Sequence, residues 1–134
     1  MAEQKEKVIN RLENLYKNLD SGMTAERYME MQTQMGQEII EEDIPPDWED
    51  FPTIVIDAVN TFNQLGDRVY PDIGYIGKDY TNLHLFLDLY GVSDNEYFIN
   101  ILTWLDSRAI KKSQDQLKRE HDKLKRKNTR GKYN

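Results

Sequence analysis

Charge is segregated along this chain, and the segregation limits which residues can build a core. Between Tyr28 and Asp67 stand ten acidic residues and no Lys or Arg. From Ser107 to Asn134 there are eleven Lys or Arg against three acids, a local charge of +8 in a chain whose net charge is −6. Charged side chains stay hydrated unless they are paired. The basic end is therefore expected to be solvated on all sides, with every dense apolar face upstream of Ser113. A chain polarised in this way can hold an acidic partner at one end, while its acidic body repels nucleic acid.

The remaining composition narrows the class. A length of 134 residues accommodates one domain with a real core and is too short for two ordinary ones. The apolar fraction, 38%, is low and the charged fraction, 31%, is high, which again requires a segment hydrated all round. Absence of cysteine excludes disulfides and thiolate metal sites and fits a reducing compartment. The N-terminus opens into a charged amphipathic run, and no stretch approaches the ~20 apolar residues of a membrane span. The expectation is a cytoplasmic protein without membrane contact.

Along the chain, Val8, Leu12, Leu15, Tyr16 and Leu19 recur at helical spacing, and Gly22 supplies a stop. Thr24 suits an N-cap, with Glu26 in the first turn of a second helix carrying Tyr28, Met31 and Met35. The pair predicts an antiparallel hairpin joined by residues 21–23. Pro45 and Pro46 lie in an acidic connector that breaks any helix, and Pro52 suits the first turn of the next. Val55, Ala58, Val59 and Phe62 form its apolar face, which Gly66 ends.

Residues 67–78 read as a structured loop with two glycines. Asp79 is expected to cap a short helix to Tyr90, whose leucines nearly encircle it and place it centrally in the core. His84 on that helix is expected at an interior or boundary position. Ser93 and Glu96 match a capping box before a helix facing inward through Phe98, Ile101, Leu102 and Leu105. Beyond Asp106 its stripe thins to Ile110, Leu117 and Leu124, one apolar residue per heptad. Continued to Lys127, this helix would be about 50 Å long at ~1.5 Å per residue. Its last half would then protrude, pair with a copy of itself or meet a partner.

The fold expected is all-α: an N-terminal helical hairpin with an acidic linker (1–44), a small three-helix core (45–106) and a long basic C-terminal helix and tail (107–134).

No catalytic motif emerges, and the chain does not read as an enzyme. Gly74-Tyr75-Ile76-Gly77-Lys78 lacks the glycine spacing and the Ser or Thr of a phosphate-binding loop. With only His84 and His121, a multi-histidine metal site is excluded within one copy. The acidic run from Glu41 to Asp50 lacks the spacing and central glycine of a calcium loop. No cofactor is expected. The helix–Gly91-Val92-Ser93–helix corner resembles a helix-turn-helix connector, but Asp94 and Glu96 would meet phosphate repulsively.

Two interaction readings remain. Trp48, Phe51, Tyr70, Tyr75 and Tyr80 concentrate aromatic area in connecting segments, either stapling loops to the core or offering a protein-binding surface. Lys118, Arg119, Lys123, Lys125, Arg126 and Lys127, with Arg130 and Lys132, suffice for weak nonspecific phosphate binding, with only Tyr133 to stack on bases. The same tail also suits a contact with the acidic region 28–67 of a second copy.

The blocks Ile-Pro-Pro-Asp-Trp-Glu-Asp-Phe-Pro (44–52) and Leu-Gly-Asp-Arg-Val-Tyr-Pro-Asp-Ile-Gly-Tyr-Ile-Gly-Lys-Asp-Tyr (65–80) resemble those of short acidic helical accessory proteins of large tailed bacteriophages. The resemblance spans roughly residues 44–112 and brings no catalytic residue set. It implies a viral accessory or assembly role. The function expected is thus that of a non-catalytic interaction or assembly protein with a protein partner, and as the alternative a nucleic-acid-binding accessory protein acting through the tail.

Overall fold

The structure, a computed structural model, describes residues 2–132, and it is mostly helical. Its order is α1 (Ala2–Ser21), α2 (Ala25–Gln34), α3 (Thr53–Gln64), β1 (Asp67–Tyr70), β2 (Gly74–Lys78), α4 (Leu83–Leu89) and α5 (Asn95–Lys132). Single 3-10 turns at Glu41–Asp43 and Trp48–Asp50 punctuate the acidic connector. The chain forms two compact units, Met1–Ile56 and Asp57–Asn134, dividing inside α3. No helix among the described residues is long and apolar enough to cross a membrane.

In the first unit the helix ends follow the sequence closely. Gly22 (φ +75°) closes α1, with Met23 N–H donating to Asn18 O at 2.8 Å and Gly22 N–H to Leu19 O at 3.1 Å. This double closure needs a left-handed residue, which glycine adopts without a Cβ clash. Thr24 then caps α2, its hydroxyl accepting the Arg27 N–H at 3.1 Å. In the connector, Asp47 and Asp50 form a reciprocal capping box around the Trp48 turn. Pro52 precedes α3, its carbonyl accepting from Val55 N–H at 3.0 Å. Leu12, Leu15, Phe51 and Val55 are buried, as is Pro45.

The second unit departs from the all-α expectation. Residues 67–78 are not a loop but a two-stranded antiparallel hairpin, with Asp67 opposite Lys78 and Tyr70 opposite Gly74. A bulge falls between Arg68 and Val69, leaving Ile76 as the extra residue. Two glycines and a proline dilute the alternation that marks a strand, and a lone hairpin is marginal in water. Packing of β2 along α5 supplies what the strands lack.

Helix α4 is the second correction. None of its side chains is buried; His84 is exposed, and Leu85 and Leu89 are 56% and 72% exposed. At two turns the helix is short, and β2 covers α5 more extensively than α4 does. The core of this unit is formed by Ala58, Val59 and Leu65 with Tyr97, Phe98, Ile101, Leu102 and Leu105. Asp79 does not cap α4 but closes a turn on itself, accepting from Thr81 N at 3.0 Å and Thr81 Oγ1 at 2.6 Å. The cap of α5 sits one residue later than the capping-box pattern implies: Asp94, not Ser93, accepts a backbone amide, that of Tyr97, at 3.1 Å.

The covered length of α5 extends past Asp106. A Cβ at Gly74 would lie 2.8 Å from Leu117 Cδ1 and 3.3 Å from Ser113 Oγ, so strand and helix are in close contact there. Ile110 and Leu117 are half-buried, whereas every residue from Lys118 to Asn128 is exposed.

Candidate functional site

Two polar assemblies stand out, and they differ in what their carboxylates have left to do. The first surrounds Asp106, which the spacing from Leu102 and Leu105 puts on the inward side of α5, where it is only 7% exposed. Tyr75 Oη donates to Oδ1 at 2.5 Å, while Tyr80 Oη at 2.6 Å and the Lys78 backbone N–H at 3.0 Å donate to Oδ2. Burial alone would raise this carboxyl, but the two phenols, the amide and the Lys78 charge outweigh it and hold the group below the ordinary carboxylate range. Burial, and after it the bond to Asp106, pushes both tyrosines far above the ordinary phenol range.

Gly77 makes the approach feasible. At φ +128° a Cβ there would lie 3.2 Å from Asp106 Oδ2 and 3.3 Å from an Arg68 guanidinium nitrogen. Lys78 is 8% exposed, and its ammonium meets Asp67 Oδ1 at 2.6 Å, Leu65 O at 3.2 Å and the face of Phe62 at 4.6 Å. Thus the Gly74–Lys78 stretch is a strand whose lysine faces a carboxylate and a ring, not a phosphate cradle. The carboxylate has both oxygens engaged, by two phenols and a backbone amide. Its work is to fasten β2 to α5.

The second assembly is a groove in the first unit. Leu15 and Leu19, one helical turn apart on α1, form its floor with Pro46 and Trp48, in a hollow of about 240 Å³. Trp48 is half-buried and fixed edge-on to Tyr16 at 5.9 Å, with Phe51 at 6.1 Å. A shallower hollow of about 740 Å³ adjoins it along α2 and shares Ala25, Glu26 and Asp47 with it. There Met29 supplies the apolar surface and Glu26, Glu30 and Asp47 the charge. No Lys or Arg lines either hollow.

The aromatic residues singled out from sequence separate in the structure. Trp48 lies in the groove, and Phe51 is buried with its ring 6.1 Å from that of Trp48. Tyr75 and Tyr80 spend their hydroxyls on Asp106. Tyr70, 55% exposed, sits at the hairpin end beside Val69 and Ile73, which are 65% and 61% exposed. Lys118, Arg119, Lys123, Lys125, Arg126 and Lys127 are all exposed on α5, with Leu124 among them at 58%. The side chains of Arg130 and Lys132, and Tyr133 altogether, lie outside the described residues.

Sequence reading missed Asp106, although an acid at the end of an inward apolar stripe is a usable signal. It missed Leu19, Met29 and Glu26 as groove residues because concavity leaves no mark in a periodic pattern. Among the described residues no three His, Asp or Glu side chains converge as metal donors. No protein-family model matches the chain, and no curated protein or solved structure is significantly similar to it. Any functional reading therefore rests on these residues themselves.

Proposed function

We propose that the protein is a non-catalytic interaction module whose groove in the first unit takes a basic, partly apolar segment of a protein partner. One observation carries this reading: the groove pairs accessible apolar surface from Leu19, Met29 and Trp48 with Glu26, Glu30 and Asp47, and no cation lines it. Apolar contact supplies attraction and the acids select the sign of what enters. Methionine adapts to irregular partners. The saturation of Asp106 adds to the case, since the most buried carboxylate among the described residues is committed to holding the fold. The resemblance of residues 44–52 and 65–80 to phage accessory proteins extends the proposal to a role in assembly.

The test is affinity capture from the native cell with the natural chain and with a Leu19→Lys/Met29→Lys variant of matched thermal melting. Partner loss in the variant supports the groove; full retention overturns it.

A second reading, nonspecific nucleic-acid binding, draws on the exposure of Lys118, Arg119, Lys123, Lys125, Arg126 and Lys127. It predicts weak affinity with a steep salt dependence, which glutamine at Lys123, Lys125, Arg126 and Lys127 reduces by roughly one unit of slope per lost phosphate contact.

A further inference from the structure

The groove has a chemical complement within the same sequence. On α5, Leu124 is 58% exposed and is flanked on the helix by Lys123, Arg126 and Lys127. Its heptad predecessors are covered: Ile110 and Leu117 are half-buried, and Leu117 lies close against Gly74 of the hairpin. Leu124 thus ends an apolar stripe largely exposed, among cations. The groove shows the converse, Leu19 at 43% and Met29 at 38% exposure among carboxylates.

Leu19, Met29 and Leu124 are each more than a third exposed. We propose that the groove of one copy receives the C-terminal part of α5 from a second copy. Leu124 meets the apolar floor, and Lys123, Arg126 and Lys127 face Glu26, Glu30 and Asp47. The inference rests on the groove being a docking site for a basic segment, and names the occupant. A nucleic acid is the poorer fit to the pair of surfaces, because it leaves Leu124 without a role and is repelled by the groove. Exchanged reciprocally, the contact closes a pair; exchanged head to tail, it extends into a chain.

Sedimentation equilibrium on the full chain provides the first test. At ~0.01 M salt, where charges are felt over ~30 Å, the average mass should rise to at least twice the 15.9 kDa of one chain. At ~1 M, where screening acts within ~3 Å, it should fall to the monomer. Leu124→Glu, at an exposed position, should weaken association at least tenfold.

The second test uses charge exchange. Lys123→Glu/Arg126→Glu/Lys127→Glu and Glu26→Lys/Glu30→Lys should each be monomeric alone and associate when mixed. Carbodiimide cross-linking of isotope-labelled with unlabelled protein should join Lys123 or Lys127 of one copy to Glu26 or Glu30 of the other.

A monomer at every salt concentration overturns the proposal. So do cross-links confined to single copies, or association that Leu124→Glu leaves unchanged. A monomer that instead shifts a mixed-sequence DNA duplex through the same cations overturns it in favour of nucleic acid. Should self-association fail while Leu19→Lys/Met29→Lys still abolishes partner capture, the interaction reading stands and only the second copy is removed as occupant. Failure of both removes the reading itself.

Discussion

Asp106 and Glu30 are both carboxylates on helices, yet the molecule uses them in opposite ways. Asp106 is withdrawn from water, takes three hydrogen bonds and holds a strand to a helix. Glu30 stands exposed beside Met29 on the wall of an open groove. Desolvation explains the difference. A buried charge is tolerable only when its lone pairs are filled, and a filled carboxylate has nothing left to offer a partner. An exposed one contributes little to stability but keeps its charge available to attract and select.

The largest expected effect breaks the buried member of this pair. Asp106→Ala strands the Tyr75 hydroxyl and the Lys78 amide without an acceptor, and should cost about 2–4 kcal/mol by urea denaturation. A loss below about 1 kcal/mol would show that water replaces the carboxylate easily, and that the network is ornamental.

A smaller effect should appear with pH. The folded carboxyl of Asp106 lies below its ordinary 3.8, so its stabilisation is complete above that value and is lost as pH falls through the lowered folded one. Tyr75 and Tyr80 are raised above 10.0, so their contribution is complete below that value and declines as pH rises from there through the folded values. Thermal melting followed from pH 2 to 11 should therefore sag at both ends. Asp106→Asn should flatten the acid limb, and an unchanged acid limb in that variant would assign the loss to other carboxylates.

The smallest effects belong to the exposed side of the comparison. Glu30→Ala, and Leu89→Gln on the uncovered helix α4, should each change stability by no more than about 0.5 kcal/mol. A loss above about 2 kcal/mol at Leu89 would restore α4 to the core, as its composition suggests, and would contradict its exposure.

That contrast shows where sequence reading succeeds. Helix ends set by local chemistry were legible: Gly22 in a left-handed closure and Thr24 as a cap need only residues within a turn of one another. The inward stripe Phe98, Ile101, Leu102, Leu105 was legible because burial imposes a helical period on it, and all four are buried. The hairpin at 67–78 was not, because its glycines answer to α5 and not to their neighbours: Gly74 gives way to Leu117, and Gly77 to Asp106. The leucines of α4 misled for the converse reason, since hydrophobicity states a preference for burial while the available surface was taken by β2.

By itself, then, the sequence determined where α1 ends and α2 begins, which stripe of α5 faces inward and where charge accumulates, because each depends on interactions within a few residues or on composition. Only the tertiary structure decided that Tyr75 and Tyr80 serve Asp106, that Lys78 meets Asp67, and that Trp48 lines an acidic groove with Leu19 and Pro46. The partners of Asp106 and Lys78 lie 11 to 31 residues away in the chain, and the energy of burying a polar group, or the shape of a groove, exists only once distant segments have met.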